Sequence, residues 1–320
     1  METVRIKFSD FWKGFKPDNN YFFNSISGSY HIELSDNPDI LIYSCYGNDY
    51  LNYNCTKVFY TAENVRPDFS ACDFAISFDF NQHPNHYRLP LFVLYIDQLN
   101  ALPVLLKPKI REEILQKWRA KKKFCCMVVS NPNADKRIDF FRQLSSYKKV
   151  DSGGRLLNNV GGPVEDKLDF IKDYRFVIAF ENEVAEGYTT EKIFEPLLAG
   201  CIPLYWGNPL IEKDFNPAVF LHLSSSKSMN EFIGEIIQID NNEDKAMEIL
   251  MAPVFKDNFI PEYIDKRKIV EFFEKVFQHK YHRRPVAITA RGKVYKYKMK
   301  TQNFISLSKR LINKMTKIIR

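Results

Sequence analysis

The 320-residue chain contains no run of about 18 apolar residues, the length a bilayer-spanning helix needs. Its start, METVRIKFSDFWKGF, lacks the basic-then-apolar layout of a secretory signal, so the expected location is the cytosol. No C-x-x-C pair occurs among Cys45, Cys55, Cys72, Cys125, Cys126 and Cys201, which argues against a zinc ribbon or a redox couple. All six read as reduced structural residues; Cys125 and Cys126 sit in an apolar run where free cysteine behaves as a small hydrophobe. His83, His86 and His222 show no H-x-x-x-H spacing, and no D-x-D ends a strand, so a resident metal is not expected. Neither G-x-x-x-x-G-K-[ST] nor G-x-G-x-x-G is present, and no internal repeat is evident.

Acidic residues are missing from the C-terminal region. Residues 280–320 carry 13 of the 46 Lys and Arg and no Asp or Glu. The rest of the chain holds 33 bases against 39 acids, a net charge of −6, so the overall +7 belongs to the tail. A body of that charge is not expected to bind nucleic acid.

The hydrophobic fraction of 45% is ordinary for a globular protein. The length allows about two domains at ~150 residues each. In the first hundred residues, VRIKFSDFW, DILIYSCYG, KVFYTAEN and CDFAISFDF read as short strands. LKPKIREEILQKWRAKKK reads as an exposed linker helix. A second alternation follows: a strand at FCCMVV, a helix over DKRIDFFRQLSSYKK and a flexible loop at DSGGRLLNNVGGP. A helix-strand pair in KLDFIKDYRFVIAF, a helix in TEKIFEPLLAG, the strand CIPLYWG and a strand AVFLHL complete it. Strands alternating with helices predict an α/β class with parallel, doubly wound sheets. The expected divisions are 1–105, a linker helix at 106–123, a second domain at 124–278 and the basic tail at 279–320.

In such sheets, ligands sit beyond the carboxyl ends of strands, against helix N-termini. FVIAF is a buried-strand pattern, and residues 181–190 leave its end to reach a helix. Glu191 in that helix's first turn is either an acid favoured by the helix dipole or a partner for a ribose diol. Lys192 beside it is disfavoured unless an anion neutralises it, and a phosphate is one such anion. Arg137, near the start of the helix after CCMVV, is either a solvated surface residue or a bidentate phosphate ligand. Pro196 should kink the helix it interrupts. In VFYTAEN, Glu63 and Asn64 end a strand, either as turn residues or with Glu63 as a general base.

Taken together, FENEVAEGYTTEK, AGCIPLYWGNP, VFYTAEN, CDFAISFDF, YRLPLF, VVSNPNADKR and KDFNP resemble the bacterial α1,3-fucosyltransferases, a GDP-fucose-dependent family that includes the animal Lewis enzymes. The likeness runs from about residue 40 to residue 275. It implies a GT-B fold, with two Rossmann-like domains facing a cleft. It also implies inverting transfer of fucose from GDP-fucose, with divalent metal at most stimulatory. The acceptor implied is an oligosaccharide or glycolipid, fucosylated on the 3-OH of GlcNAc or Glc in a surface glycan or lipopolysaccharide O-antigen precursor. Carried onto this chain, Glu191 holds the ribose, Lys192 and Arg137 hold the diphosphate, and Asn182 and Tyr188 line the same pocket. Glu63 matches the catalytic base, with Tyr60, Asn64 and Glu181 as candidate acceptor contacts or supports. Ala62 stands where the bacterial members usually have glycine, and no heptad repeats precede the tail.

The tail, FISLSKRLINKMTKIIR, places Phe304, Leu307, Leu311, Met315 and Ile318 at helical spacing. Lys309, Arg310, Lys314, Lys317 and Arg320 lie between them. This is the pattern of a helix lying on an anionic membrane surface, here expected to be the cytoplasmic face of an inner membrane. A helix docked on the body, or a disordered basic end, is the plainer alternative. Two other functions fit less of the sequence: a GT-B enzyme using another nucleotide sugar, and a non-catalytic peripheral membrane scaffold.

Overall fold

The computed structural model describes residues 3–132 and 135–318. The chain divides into two compact units that do not follow its linear order.

The first unit comprises Met1–Ser77, Asn81–Arg88 and Asp265–Arg320. Its leading part runs β1 (Thr3–Ser9), α1 (Tyr21–Ile26), β2 (His31–Leu34), β3 (Ile40–Tyr43), β4 (Thr56–Tyr60), β5 (Phe74–Ser77) and β6 (His86–Arg88). These strands form one parallel sheet in the order β2-β1-β3-β4-β5-β6. Every residue of β3, β4 and β5 is buried. Parallel strands covered on both faces are largely apolar, and here Thr56, Lys57 and Ser77 are buried with the rest. α1 starts where the Asn20 side chain accepts from the backbone N–H groups of Phe22 and Phe23.

The second unit comprises Phe78–Phe80 and Leu89–Ile264. It runs α2 (Leu91–Gln98), α3 (Leu102–Leu106), α4 (Arg111–Ala120), β7 (Lys123–Met127), α5 (Asp135–Ser145), β8 (Val150–Ser152), α6 (Lys167–Ile171) and β9 (Tyr174–Phe180). Then come α7 (Glu191–Leu198), β10 (Ile202–Trp206), β11 (Leu221–His222), α8 (Met229–Asp240) and α9 (Glu243–Met251). Its parallel sheet has the order β11-β10-β9-β7-β8.

The helix expected as an exposed linker is α4, and it is docked. Trp118 is buried among Cys125, Phe140, Phe176 and their neighbours, with Ile114 and Leu115 packed beside it. Arg119 forks onto Glu243 at 2.8 and 2.7 Å. The loop expected to be flexible is laced by its own side chains. Asn159 accepts from Ser152 N (2.8 Å) and donates to Val150 O (3.0 Å), while Asn158 donates to Gly154 O (2.7 Å). A Cβ on Gly154 would lie 2.0 Å from Val129 O, which is why glycine stands there. AVFLHL yields only the two-residue β11, because Pro217 opens a 3₁₀ turn over Pro217–Val219. The expected kink at Pro196 has little helix left to bend, since α7 ends two residues later.

The chain then rejoins the first unit through α10 (Lys266–His282) and α11 (Ala290–Ile318). Part of α10 was expected in the second domain. Its stripe of Ile269, Phe272, Phe273, Val276 and Phe277 is buried in the first unit instead, against Phe22, Tyr30 and Phe74. Conversely, 89–105 belongs to the second unit. The first turns of α11 also dock, with Tyr295 and Met299 packed on the Leu41–Tyr43–Tyr50 cluster. All six cysteines are free, four of them buried.

Candidate active site

β9 ends at Phe180, and the chain crosses to α7 through the polar stretch 181–190. Glu181 N continues the ladder by donating to Trp206 O at 2.7 Å. The Glu181 side chain turns inward and is fully buried, 0% exposed. Its carboxylate accepts from Thr190 N (2.8 Å), Thr190 Oγ1 (2.7 Å) and Lys192 Nζ (3.2 Å). A Cβ on Gly207 would sit 2.4 Å from Glu181 Cγ, so the WGNP glycine makes room for this acid.

Asn208, from the same motif, fixes the far side of the loop. Its Oδ1 accepts from Gly187 N (2.8 Å) and its Nδ2 donates to Thr189 Oγ1 (3.0 Å). Thr189 in turn donates to Asp214 (2.7 Å). Buried polar groups satisfied this completely hold a loop in one conformation.

Thr190 caps α7, its hydroxyl accepting from Lys192 N. The anion that Lys192 needs at a helix N-terminus is thus supplied first by Glu181, with Glu191 Oε1 at 3.8 Å. Burial would lower the Lys192 ammonium, but Glu181 and Glu191 outweigh it and raise it above its ordinary value. Burial would raise the Glu191 carboxyl, but Lys192 and Lys167 hold it below the usual range. Glu191 therefore stands ionised at the entrance to α7.

Arg137 is not a surface residue. It is 0% exposed, and its Nη2 donates to Phe180 O (2.8 Å), Glu181 O (2.7 Å) and Asn182 Oδ1 (3.0 Å). Among the described residues its Nε and Nη1 donate to nothing. Burial pushes the guanidinium below its ordinary value, against the pull of Glu181 and Tyr188. Leaving two donors of a buried cation unspent costs about 1–3 kcal/mol each. Tyr188 is buried and packs edge-on to Phe78 at 5.1 Å. Arg137, Asn182, Tyr188, Glu191 and Lys192 thus all gather around the end of β9.

Sequence reasoning missed two neighbours. Tyr95 on α2 lies near Glu191, its phenol raised to about 12 by burial and by the charges of Glu191 and Glu195. Lys167 on α6 pairs with Glu195 and adds positive charge beside Glu191. Neither carries a local motif; each reaches α7 only through packing between helices.

Glu63 lies in the first unit, in the loop leaving β4, and is exposed. Its backbone is pinned by the buried Thr61, whose Oγ1 accepts from Glu63 N (3.0 Å) and donates to Glu63 O (3.1 Å). Tyr46 donates its phenol to Glu63 Oε1 at 2.7 Å. Asn64 accepts from Arg66 (3.3 Å). Tyr60 is fully buried between Phe11 and Phe22, beneath this region. Among the described residues no cluster of His, Cys, Asp or Glu stands ready to hold a metal ion.

Comparison with known proteins decides the family. Residues 6–95 match the alpha-(1,3)-fucosyltransferase FucT N-terminal domain, and residues 118–250 match the C-terminal part of glycosyltransferase family 10 (fucosyltransferase). An alpha-(1,3)-fucosyltransferase of Helicobacter pylori is 30% identical over 88% of this chain and 68% of its own. The chain belongs to the family 10 fucosyltransferases. Its fold agrees with that of a crystallised α1,3-fucosyltransferase at a TM-score of 0.75, with 27% identity over 88% of this chain and 93% of that one. The same kind of enzyme crystallised with GDP-fucose matches at 0.74, with 27% identity over 86% and 90% of the two chains. The fold is accordingly of the GT-B class that this family adopts. A GDP-fucose protein O-fucosyltransferase 3 of Homo sapiens is 32% identical over 39% of this chain and 28% of its own.

Proposed function

We propose that this fucosyltransferase moves fucose from GDP-fucose to a sugar hydroxyl with inversion, forming an α1,3 linkage. The observation that carries the donor half is Arg137, a buried guanidinium with two unspent donors at the end of β9. A diphosphate is the group that would use them. Lys192 adds charge at the N-terminus of α7, where backbone N–H groups also favour an anion. Glu191, ionised and facing Lys192, takes the ribose diol, with Asn182 and Tyr188 beside it.

In the reaction, the acceptor hydroxyl passes its proton to the Glu63 carboxylate as its oxygen bonds to C1 of fucose. The bond from C1 to the β-phosphate oxygen breaks, and its electron pair leaves on GDP. Arg137 and Lys192 face the charge that builds there and need little rearrangement to stabilise it. We assign the acceptor to the lactosamine-like oligosaccharides and glycolipids of a surface glycan or lipopolysaccharide precursor. Incubation with GDP-fucose and N-acetyllactosamine, read by GDP release and by NMR of the product, is the test. A fucose on the GlcNAc 3-OH is expected. A thermal shift with a different nucleotide sugar and none with GDP-fucose would overturn the donor assignment. No shift with any nucleotide sugar would favour a scaffold.

The tail supports a second proposal, that this enzyme works on an anionic membrane surface at the cytoplasmic side. No helix is long and apolar enough to cross a membrane among the described residues. At about 100° per residue, Val294, Tyr297, Phe304 and Ile305 share one face of α11. Gly292, Tyr295 and Met299 share another, which docks on the first unit. Docking accounts for that second face only; Tyr297 and Phe304 remain 76% and 71% exposed among lysines. The side chains of Leu307, Arg310, Leu311, Lys314, Met315, Lys317 and Ile318, and Arg320 as a whole, lie outside the described residues. Truncation after Lys300 keeps the docked turns and should release the protein from phosphatidylglycerol vesicles. Equal sedimentation of both forms would contradict the assignment.

A further inference from the structure

We propose that Trp12, Tyr46 and Glu63 form the seat of the acceptor pyranose, with Tyr46 as the positioning residue for the Glu63 carboxylate. This rests on the fucosyl-transfer reading and names the acceptor half of it.

Three loops build this corner, and they leave the carboxyl ends of the neighbouring strands β1, β3 and β4, where parallel sheets place ligands. The first two loops are locked together by Asp10. Its carboxylate accepts from Asp49 N and Tyr50 N at 2.8 Å each, and its carbonyl accepts from Tyr46 N at 3.0 Å. Gly47 is required beside it, because a Cβ there would lie 2.3 Å from Asp10 Oδ1. The third loop is held by Thr61, which Cys45 Sγ also meets at 3.6 Å.

On this scaffold a column of rings rises from the core. Tyr60 lies under Phe11, Phe11 stacks on Phe15 at 4.0 Å, and Trp12 meets Phe15 edge-on at 5.2 Å. The column ends in two exposed rings, Trp12 at 40% and Tyr46 at 48%. Their centroids are 6.3 Å apart and their planes cross at 76°, which makes a corner rather than a flat patch. A single exposed aromatic needs no explanation. Two rings meeting at a corner, braced from below and with the phenol of one bonded to a carboxylate, do.

A pyranose fits that chemistry. One of its faces carries C–H groups of slight positive charge, which lie favourably on the negative face of an aromatic ring. Its rim carries hydroxyls, which a carboxylate accepts. Tyr46 occupies Glu63 Oε1, while Oε2 accepts nothing among the described residues and is left for the acceptor hydroxyl. The ring of Tyr46 thus serves binding and its hydroxyl serves the aim of the base.

These two roles separate in steady-state kinetics with N-acetyllactosamine at saturating GDP-fucose. Trp12→Ala should raise the acceptor KM by roughly tenfold, the scale of one lost aromatic contact, with kcat within about threefold. Trp12→Phe should recover most of that loss. Tyr46→Phe keeps the ring and should leave KM within about twofold while kcat falls roughly tenfold. GDP-fucose affinity by calorimetry should match the wild type in all three, which also reports folding. Wild-type acceptor KM in Trp12→Ala would overturn the seat, and wild-type kcat in Tyr46→Phe would overturn the positioning role. If the wild type transfers no fucose, the transfer reading fails instead. The seat is then judged by NMR saturation transfer to N-acetyllactosamine, whose loss in Trp12→Ala supports it and whose absence in the wild type overturns it.

Discussion

Glu181 and Glu63 are the same residue type, each just beyond the end of a parallel strand, and the fold treats them oppositely. Glu181 is fully buried and bonded to Thr190 and Lys192. Glu63 is exposed and bonded at one oxygen by one phenol. The first arrangement is a brace. Removing Glu181 or Lys192 breaks a buried ion pair, so the pair holds the start of α7 and the Lys192 ammonium in place. The second leaves an oxygen and a solvent path, which is what proton transfer from an incoming hydroxyl needs. A carboxylate's environment, more than its presence in a motif, separates an acid built to brace from one open to an incoming hydroxyl.

The comparison can be broken most strongly at Glu63. Glu63→Gln keeps the shape and the bond from Tyr46 but removes the basicity, so turnover should fall by ~10²–10⁴. Calorimetry should find GDP-fucose affinity unchanged. Near-normal turnover, under conditions where chemistry limits the rate, would move the base elsewhere. Glu181 would be a poor second choice, because its carboxylate is already spent inside the protein.

Glu181→Ala should show the opposite signature. It strands Lys192 and the Thr190 N–H in a buried setting, which should cost ~3–5 kcal/mol of stability in chemical denaturation and weaken GDP binding with it. A variant with wild-type stability would mean that Glu181 is no brace.

Acid separates the two units by a smaller margin. His86 lies beside Ser77 Oγ at 2.8 Å in the first unit. Burial, with the charges of Arg88 and His83, lowers its imidazole to about 4. A group depressed in the folded state contributes stability that is complete above its unfolded pKa, ordinarily about 6.5, and is lost as pH falls toward the folded value. The first unit should therefore lose up to about 3 kcal/mol between pH 6.5 and 4. In the donor cluster the depressed group is Glu191, so its contribution should persist to below the ordinary glutamate range. Amide exchange followed from pH 7 to 4 should show the first unit opening earlier, and His86→Gln should remove much of the difference.

What the sequence made legible follows from the same contrast. The strands β3, β4, β5 and β9 each carry an unbroken apolar run of at least three residues and announce themselves. Thr190, followed by a helical pattern, marks where α7 starts. The edge strand β2, His31–Leu34, is largely exposed and half polar, so no pattern betrayed it. The return of α10 to the first unit was also hidden, because an apolar stripe says that a helix is buried but not against which sheet. The partners of the key side chains were the least visible part. Lys192 meets Glu181 across a loop held by Asn208, and Tyr46 meets Glu63 because β3 and β4 pair with Tyr43 opposite Phe59. Register and loop closure set both contacts, and neither is local in sequence.

The proposed donor half rests on Arg137, whose Nη2 serves the protein while Nε and Nη1 donate to nothing among the described residues. Isothermal titration of GDP into the wild type and into Arg137→Ala and Lys192→Ala, each checked for folding by its melting temperature, tests this directly. Each variant should bind GDP roughly ten- to hundred-fold more weakly, the loss of a charge-assisted hydrogen bond of ~1.5–3 kcal/mol. Unchanged GDP affinity in both folded variants would contradict the assignment of this cluster as the diphosphate site.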